Sequence, residues 1–506
     1  MEKEINKRPQ STHSLTTGIP EPGKKSVFVF SLGGVAQIGM NWTLYGHKGE
    51  WVLVDAGSAF APRDLPIVDA IFPDPAILKS ILPKLRGLIV THAHEDHIGA
   101  IHRLWPMIKC PIYATHFAAK CLQSRFEERQ TDRRVTLRRF QPGATISVGP
   151  FRIKTIQMTH SVPECVSLAF KTDVGTVFHT GDWKFDPTPL VGRPTDIKSI
   201  KRIGREGVMA MVCDSTNSQR PGKITSEADV YEGFRKVFSA SRGMVVVSCF
   251  ATNVARVASA MRAAAATGRE VAICGRSLIK NEKIARELGM LEGIPKPLAF
   301  PSHLKGLDRR QMAIICTGAQ GEANAALSKL STGENYRLPQ IMVGDTIVHS
   351  ARVIPGNEED LYAVFDRLRM LGADILEREF DGSPLHVTGH ATSTEIVQMY
   401  NMVKPKSAIP VHGNPSHLEA HAALARSCGV QDVVTPTEGG IYAVNRDGVR
   451  QVAQVTVRLQ AELGDEARSK IPWNEAKVRA AIETIEANQA REREAAGTPA
   501  PRAARM

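Results

Sequence analysis

Residues His92-Ala93-His94-Glu95-Asp96-His97 place three imidazoles and the Asp96 carboxylate within six positions, directly after an apolar run at 88–90. Imidazole nitrogens and carboxylate oxygens are the usual protein ligands of first-row metals, and alternate positions of an extended loop project to one side. An H-x-H-x-D-H string therefore points to metal chemistry, with a histidine-rich surface loop as the bland alternative. Four residues cannot fill two catalytic metal sites, so more ligands are expected downstream at strand ends. Three positions fit: His160 after the run at 151–156, Asp182 in His179-Thr180-Gly181-Asp182, and His412 in Val411-His412-Gly413-Asn414. Singly each is weak, because a histidine at a strand end is commonly a core or surface residue. Their order behind the first motif gives them weight.

The elements that would position these residues read as short strands ending in polar loops. Strands are expected at 26–31, 51–54, 88–90, 151–156, 167–170 and 176–178, with a helix at 98–108. This is the pattern of a layered α/β sandwich with chemistry at the strand ends. From about 209 the pattern changes. Apolar runs at 209–212, 244–247, 271–273, 313–316 and 341–343 alternate with helical stretches such as 254–266, which predicts βαβ units around a mainly parallel sheet. The expected organisation is a disordered tail at 1–25, a first domain segment at 26–208, a second domain at 209–375, a returning segment at 376–440, and a short C-terminal region at 441–506. That last region should carry an amphipathic helix at 473–496 and a disordered Ala/Pro/Arg-rich end from 497.

An apolar fraction of 42% supports large cores, and a net charge of +12 favours a polyanionic partner. The eight cysteines form no C-x-x-C pair and several sit in apolar runs, so they are expected as buried, reduced thiols. The first 25 residues lack an apolar core, and no stretch of 18 uncharged apolar residues occurs. The expectation is a cytoplasmic protein without membrane association or a dinucleotide cofactor.

The order of motifs resembles that of the metallo-β-lactamase superfamily, its β-CASP branch, and within it the bacterial ribonuclease J family. The resemblance spans roughly residues 26–440. It is carried by Leu32-Gly33-Gly34, Asp55-Ala56-Gly57, 91–99, 180–186, Cys213-Asp214-Ser215-Thr216-Asn217 and Phe250-Ala251-Thr252-Asn253. Further along it is carried by 316–322, Gly344-Asp345-Thr346, Ile354-Pro355-Gly356-Asn357-Glu358 and 386–390. It implies an αββα metallo-β-lactamase sandwich in two segments with a β-CASP α/β domain inserted and a short C-terminal extension. By motif position, His92, His94 and His160 would hold one divalent ion, Asp96, His97 and His412 a second, and Asp182 both. Zinc is the default ion and manganese the alternative that the carboxylates leave open. Asp55 would orient the site from outside the ligand set. Asp214 matches the β-CASP acidic motif and His390 its non-ligand histidine.

Two positions depart from the family pattern: Gln37 and Asn414 stand where it usually has Glu. The family also usually carries a longer C-terminal domain than 441–506 supplies, which bears on the expected homodimer. The resemblance implies hydrolysis of RNA from the 5′ end, favouring a 5′-monophosphate, alongside endonuclease cutting, with Asp96, Asp214 and His390 in catalysis. His390, free of metal duty, is the candidate proton donor to the leaving oxygen. A terminal-phosphate pocket would draw on Phe250, Thr252, Asn253, His386, Thr388 and His390, with His386 adding charge when protonated and an ordinary helix cap as the other role for Thr252 or Asn253. Two rival readings are a β-CASP enzyme preferring DNA and a catalytically silent RNA-binding subunit. The second should have lost ligands, and this chain keeps every one.

Overall fold

A computed structural model describes residues 18–60, 68–131, 134–222, 225–334, 337–354 and 356–463, together with 482, 483, 487 and 491. Two sheets face one another. The first has eight strands, in the order Gly448–Gln454, Gly440–Asn445, Val27–Gly33, Trp42–His47, Glu50–Val54, Leu85–Ile89, Ile112–Ala114 and Leu137–Arg139. The second has seven: Asp432–Val433, Ser407–Val411, Ala210–Asp214, Thr176–His179, Val166–Lys171, Phe151–Gln157 and Thr145–Val148.

Strand alternation explains the layering. Val27, Val29, Tyr45, Val52 and Val54 turn inward to meet Phe151, Ile153, Leu168, Phe170 and Val177 of the other sheet. Their neighbours Phe28, Phe30, Trp42, Leu44 and Leu53 point outward and are covered by the helices Ile101–Ile108 and His116–Glu128. On the far face Ile156, Phe178, Met211 and Ala408 are covered by Ile200, Ile203, Ile396, Met399 and Tyr400 of the helices Ile197–Glu206 and Ser393–Val403. The fold is thus a helix–sheet–sheet–helix sandwich. A third, all-parallel sheet lies in the inserted part, ordered Glu270–Cys274, Met312–Cys316, Val245–Ser248, Thr346–His349 and Asp374–Glu377.

Several expectations need correction. The run at 209–212 does not open the second domain, because Ala210–Asp214 pairs in parallel with both Thr176–His179 and Ser407–Val411 at the centre of the sandwich. The parallel sheet closes with Asp374–Glu377, two residues past the expected boundary at 375. The run at 341–343 is no strand: Met342 and Val343 are solvent-exposed beside the turn at Gly344, and the strand is Thr346–His349. Residues 441–463 are built into the sheets. Gly440–Asn445 pairs with Val27–Gly33 and so completes the eight-stranded sheet, while Leu459–Leu463 pairs with Val68–Pro73 in a separate three-stranded sheet. Within the tail expected at 1–25, residues 18–25 are packed down: the Pro22 and Gly23 carbonyls accept from Gly49 and Lys48 N–H, and Glu21 pairs with Lys84 at 2.8 Å. The rest of that tail and the end from 497 lie outside the described residues. So does most of the helix expected at 473–496, whose described positions 482, 483, 487 and 491 are helical. All eight cysteines are free thiols.

Candidate metal centre

The six-residue motif starts where strand Leu85–Ile89 ends. It is not an extended loop throughout: His94 caps a helical turn, Glu95–Ile98, so Asp96 and His97 reach the site from a helix rather than by strand alternation. Two carboxylates stabilise this turn. Glu95 is clamped by both terminal nitrogens of Arg125, at 2.8 and 2.5 Å, and so is occupied away from the site. Asp55 accepts from Thr91 N–H at 2.8 Å and Thr91 Oγ1 at 2.7 Å, and its Oδ2 lies 2.8 Å from His97 Nδ1. That contact fixes the ring and leaves Nε2 for the site, the arrangement expected of a ligating imidazole. Asp55 and His412 both sit at strand ends with left-handed backbones, φ 57° and 56°. Non-glycine residues adopt this conformation where the surrounding structure enforces it, commonly at functional sites.

Three groups of donor atoms converge, each within 4.8 Å: His92, His94, His160 and Asp182; then Asp96, His97, Asp182 and His412; then Asp182, Asp214, His390 and His412. The first two groups are the two ligand sets that the motif order implies. In the first, His94 Nδ1 lies 3.1 Å from His92 Nε2 and 3.0 Å from His160 Nε2. In the second, His412 Nε2 is 3.1 Å and His97 Nε2 3.4 Å from Asp96 Oδ2. Asp182 Oδ2 stands 3.3 Å from His97 Nε2 and 3.8 Å from the Nε2 atoms of His92 and His160.

These donors fit divalent cations. Tetrahedral zinc with Zn–N bonds of about 2.0–2.1 Å sets its ligands about 3.3–3.4 Å apart. Asp182 Oδ2 is buried without a hydrogen-bond partner, which is costly unless something else satisfies it. The electrostatics agree. Burial holds the His92 and His160 imidazoles well below their ordinary range and pushes His94 to about 4, so all three present neutral lone pairs. In the second group burial again pushes the imidazoles down, but it loses. Asp182, Asp96 and Asp55 hold His97 above its ordinary range, and Asp182, Asp214 and Asp96 do the same to His412. Burial would raise the carboxyls of Asp96 and Asp182, but the surrounding imidazoles keep both well below the usual carboxylate range. This pocket of anions asks for positive charge.

Asp214 joins His412 to His390 beside it. Its Oδ2 lies 2.8 Å from His390 Nδ1, and its Oδ1 accepts from Thr216 Oγ1 at 2.7 Å and lies 3.3 Å from His412 Nδ1. His390 is also 3.8 Å from Asp182 Oδ2, so it borders the ligand set. Its pKa is raised: burial would lower it, but Asp214 and Asp182 outweigh burial. The Gly389 carbonyl lies 2.6 Å from His160 Nδ1 and orients that ring as Asp55 orients His97.

The expected phosphate-pocket residues are brought together less directly. Asn253 is the N-cap of helix Val254–Ala266, its side chain accepting from Arg256 N–H at 3.0 Å. Arg256, fully buried, links the two loops: it bonds His386 Nδ1 at 3.0 Å, the Val387 carbonyl at 3.3 Å, Ser350 and Glu227. The expectation that His386 adds charge is therefore wrong. Burial and the adjacent Arg256 hold it well below its ordinary range, so it stays neutral. Thr388 Oγ1 accepts from Asn217 Nδ2 at 3.0 Å, and Phe250 and Thr252 are half-buried.

The two departures from the family pattern have local reasons. Gln37 donates to Glu438 at 3.2 Å, where a glutamate would face a like charge. Asn414 caps helix Pro415–Ser427. Sequence reasoning missed Asn41, whose Nδ2 lies 3.2 Å from Asp96 Oδ2 and 3.0 Å from His97 Nε2. It also missed Ser161, 3.2 Å from His94 Nε2. Neither carries a local signal. Thr216, 2.8 Å from His412 Nδ1, is legible as part of the Asp214 motif, although the motif alone gives it no role.

Comparison with known proteins agrees with this geometry. Three family models match: "Beta-lactamase superfamily domain" over 50–198, "Ribonuclease J, beta-CASP domain" over 242–368, and "Zn-dependent metallo-hydrolase RNA specificity domain" over 383–436. The chain is 42% identical over 409 residues to ribonuclease J of Sinorhizobium meliloti, covering 79% of this chain and 71% of the relative. It is 40% identical over 428 residues to ribonuclease J of Mycolicibacterium smegmatis, covering 84% and 75%. A solved structure of a protein of unknown function from Enterococcus faecalis superposes with a TM-score of 0.59 at 16% identity, covering 83% of this chain and all of that one, and so shares the fold. By sequence, fold and the convergence of the motif residues, the chain belongs to the ribonuclease J family, with a metallo-β-lactamase sandwich and an inserted β-CASP domain.

Proposed function

We propose that the chain is a metal-dependent ribonuclease that removes nucleotides from the 5′ end of RNA, favours a 5′-monophosphate, and also cuts internally. Ribonuclease chemistry follows from membership of the family. The observation that carries the reading is the pair of donor groups sharing Asp182, with His390 held beside them by Asp214. His92, His94, His160 and Asp182 would hold one divalent ion, and Asp96, His97, His412 and Asp182 the other. Zinc is our choice for both. Bound there, the ions would supply Lewis acidity that activates water and neutralises charge at phosphorus.

The chain's own groups do the rest. Asp214 accepts from His390 Nδ1, which turns Nε2 outward with a proton to give to the leaving 3′-oxygen. Asp55, Thr216 and the Gly389 carbonyl keep the rings of His97, His412 and His160 in place. The start of helix Val254–Ala266 is tied to the loop of Thr388 through Arg256, which donates to the Val387 carbonyl, and Thr252, Asn253 and Thr388 would supply donors for a terminal phosphate there. A triphosphate would bring more bulk and unpaired charge than such a pocket accommodates.

The test uses one RNA sequence carrying a 5′-monophosphate, 5′-triphosphate or 5′-hydroxyl, a DNA of the same sequence, and a chelator control. Rapid mononucleotide release from the monophosphate alone is expected. Equal rates on all three RNAs would leave an endonuclease, and faster cutting of DNA would overturn the substrate. We further place the protein in the cytoplasm, in keeping with its eight free thiols, and as a homodimer, which sedimentation of the full-length chain tests. No helix among the described residues is long and apolar enough to cross a membrane.

A further inference from the structure

Buried Arg269 is satisfied by the carbonyls of Gly243, Met312, Phe238 and Ser241. Several other wholly or partly buried arginines face a carboxylate: Arg256 faces Glu227, Arg125 faces Glu95, and Arg286 faces Glu282. Arg352 does not. It is half-buried, its backbone carbonyl is held by Gln320 Nε2 at 2.9 Å, and its guanidinium donates to Asn217 Oδ1 at 3.0 Å. Among the described residues no carboxylate pairs with it or with Arg220. Taking a guanidinium partly out of water without a counter-charge is costly, and the cost is met when an anion arrives.

A second cation shares the location. Arg220 is exposed, and its N–H donates to the Asn217 carbonyl at 2.9 Å. After burial, its charge is what depresses the pKa of Arg352. The intervening segment is fixed against the start of helix Pro415–Ser427: Ser218 Oγ donates to the His417 carbonyl at 2.7 Å and Gln219 Nε2 to the Ser416 carbonyl at 3.1 Å. Burial and then Arg352 hold the His417 ring below its ordinary range. Asn217 ties this cluster to the metal centre, because its Nδ2 donates to Thr388 Oγ1 and to the His390 carbonyl, both at 3.0 Å.

We propose that Arg352, with Arg220 and His417, forms a phosphate-binding subsite beside the metal centre that takes a phosphate of the RNA chain. A fork of donors anchored on one side by Asn217 leaves its remaining N–H groups for two phosphate oxygens, with Arg220 as a second charge at the rim. The subsite supplies the positive charge that a neutral His386 and a fully engaged Arg256 cannot. It rests on the reading of the chain as an RNA-cutting enzyme. The phosphate is either the 5′-terminal one or one in the backbone, and the two sources are separable.

The experiment measures kcat and KM for wild type, R352Q, R352K and R220Q on one RNA with a 5′-monophosphate or a 5′-hydroxyl, over a range of KCl concentrations. Loss of a charge-assisted hydrogen bond predicts that R352Q raises KM about tenfold to hundredfold while kcat changes little. The slope of log(kcat/KM) against log[salt] should fall by about 0.7 for each single-strand phosphate that the variant no longer neutralises. R352K should keep the slope and lose part of the affinity, because it retains the charge without the fork. An effect of R352Q confined to monophosphate RNA identifies the terminal phosphate; an equal effect on both RNAs identifies a backbone phosphate. Wild-type KM and salt slope in both R352Q and R220Q would overturn the subsite. Should R352Q fail to fold, the exposed R220Q decides by its slope alone. Equal wild-type rates on the two RNAs would refute the 5′-monophosphate preference and leave the subsite to be judged by the slopes.

Discussion

Gly57 offers a sharp test of how the second donor group is held. A Cβ built on Gly57 would lie 1.6 Å from the carbonyl oxygen of Asp96, 1.9 Å from its carbonyl carbon and 2.5 Å from His97 N. Its backbone is not left-handed, so close approach and not φ demands glycine here. The two segments are zipped together: Ala56 N–H donates to the His97 carbonyl at 2.8 Å and Ser58 N–H to the Glu95 carbonyl at 3.1 Å. Ordinary contact begins near 3.4 Å, so a Gly57→Ala methyl must push the Asp96–His97 backbone away by roughly 1.8 Å. Metal ligands tolerate about 0.2 Å, so the displacement is several times what that group can absorb. Overpacking of about 1–3 kcal/mol and two weakened hydrogen bonds of about 1 kcal/mol each leave a folded protein within the usual stability range. The first group, His92, His94 and His160, keeps its own support from the Gly389 carbonyl and Ser161. G57A should therefore fold, bind about one metal per chain in place of two, and lose at least about 10²-fold in kcat. Elemental analysis, circular dichroism and single-turnover cleavage read the three quantities. Gly306→Ala is the control, because nothing lies within 4 Å of its added Cβ. A G57A protein with full metal content and wild-type turnover would refute the idea that this close approach sets the geometry.

Replacing His390 with Ala should spare metal content and reduce turnover by about 10²–10⁴-fold if it donates a proton; stoichiometric loss of metal would instead make it a ligand, since it belongs to the third donor group. Glu462 gives a pH prediction. Burial would raise its pKa, but the His102 ring 3.6 Å away and the hydrogen-bonded Arg103 guanidinium prevail and hold it at about 2. Its folded pKa is depressed, so its stabilisation is present above the unfolded value of about 4.3 and is lost as pH falls towards about 2. Melting curves should show wild type more stable than E462Q at neutral pH, with the gap closing below about pH 4; a gap independent of pH would contradict this. Burial pushes the thiols of Cys110 and Cys121 up to about 12 and Cys428 is the least buried cysteine, so a thiol reagent should modify Cys428 first in the native protein and the other seven only on unfolding.

The candidate metal centre was legible because its donor residues are written in short strings that begin where strands end, where periodicity and polarity change together. His160, Asp182 and His412 needed the order of the motifs, since each is an ordinary residue in isolation. What escaped has one physical cause: it depends on contacts far apart in sequence. Asn41 meets Asp96, Arg256 meets His386, and Glu462 meets Arg103, each across a separation that no local pattern encodes. The same holds for the fold. Apolar runs located most strands, but the run at 209–212 looks alike whether it joins a parallel insert or the sandwich, and only its partners decide. The charge on His386 was misjudged because burial beside an arginine is invisible in composition.

The placement of Val27–Gly33 has a consequence for synthesis of the chain. One edge of this strand pairs at once with Trp42–His47, but the other waits for Gly440–Asn445. While a ribosome works through the intervening residues, an apolar segment, VFVFSLG, presents unpaired N–H and C=O groups to every neighbour it meets. Contacts of such long range make closure slow, and the exposed edge invites pairing with another nascent copy. Chaperones that shield hydrophobic strands should raise the yield of folded protein far more than they would for a domain whose terminal strands pair locally. The insert eases the last step, because the sandwich strands on either side of it in sequence, Ala210–Asp214 and Ser407–Val411, are neighbours in the sheet. If it folds first, its own compactness brings those ends together and removes most of the loop entropy that closing the sandwich would otherwise cost.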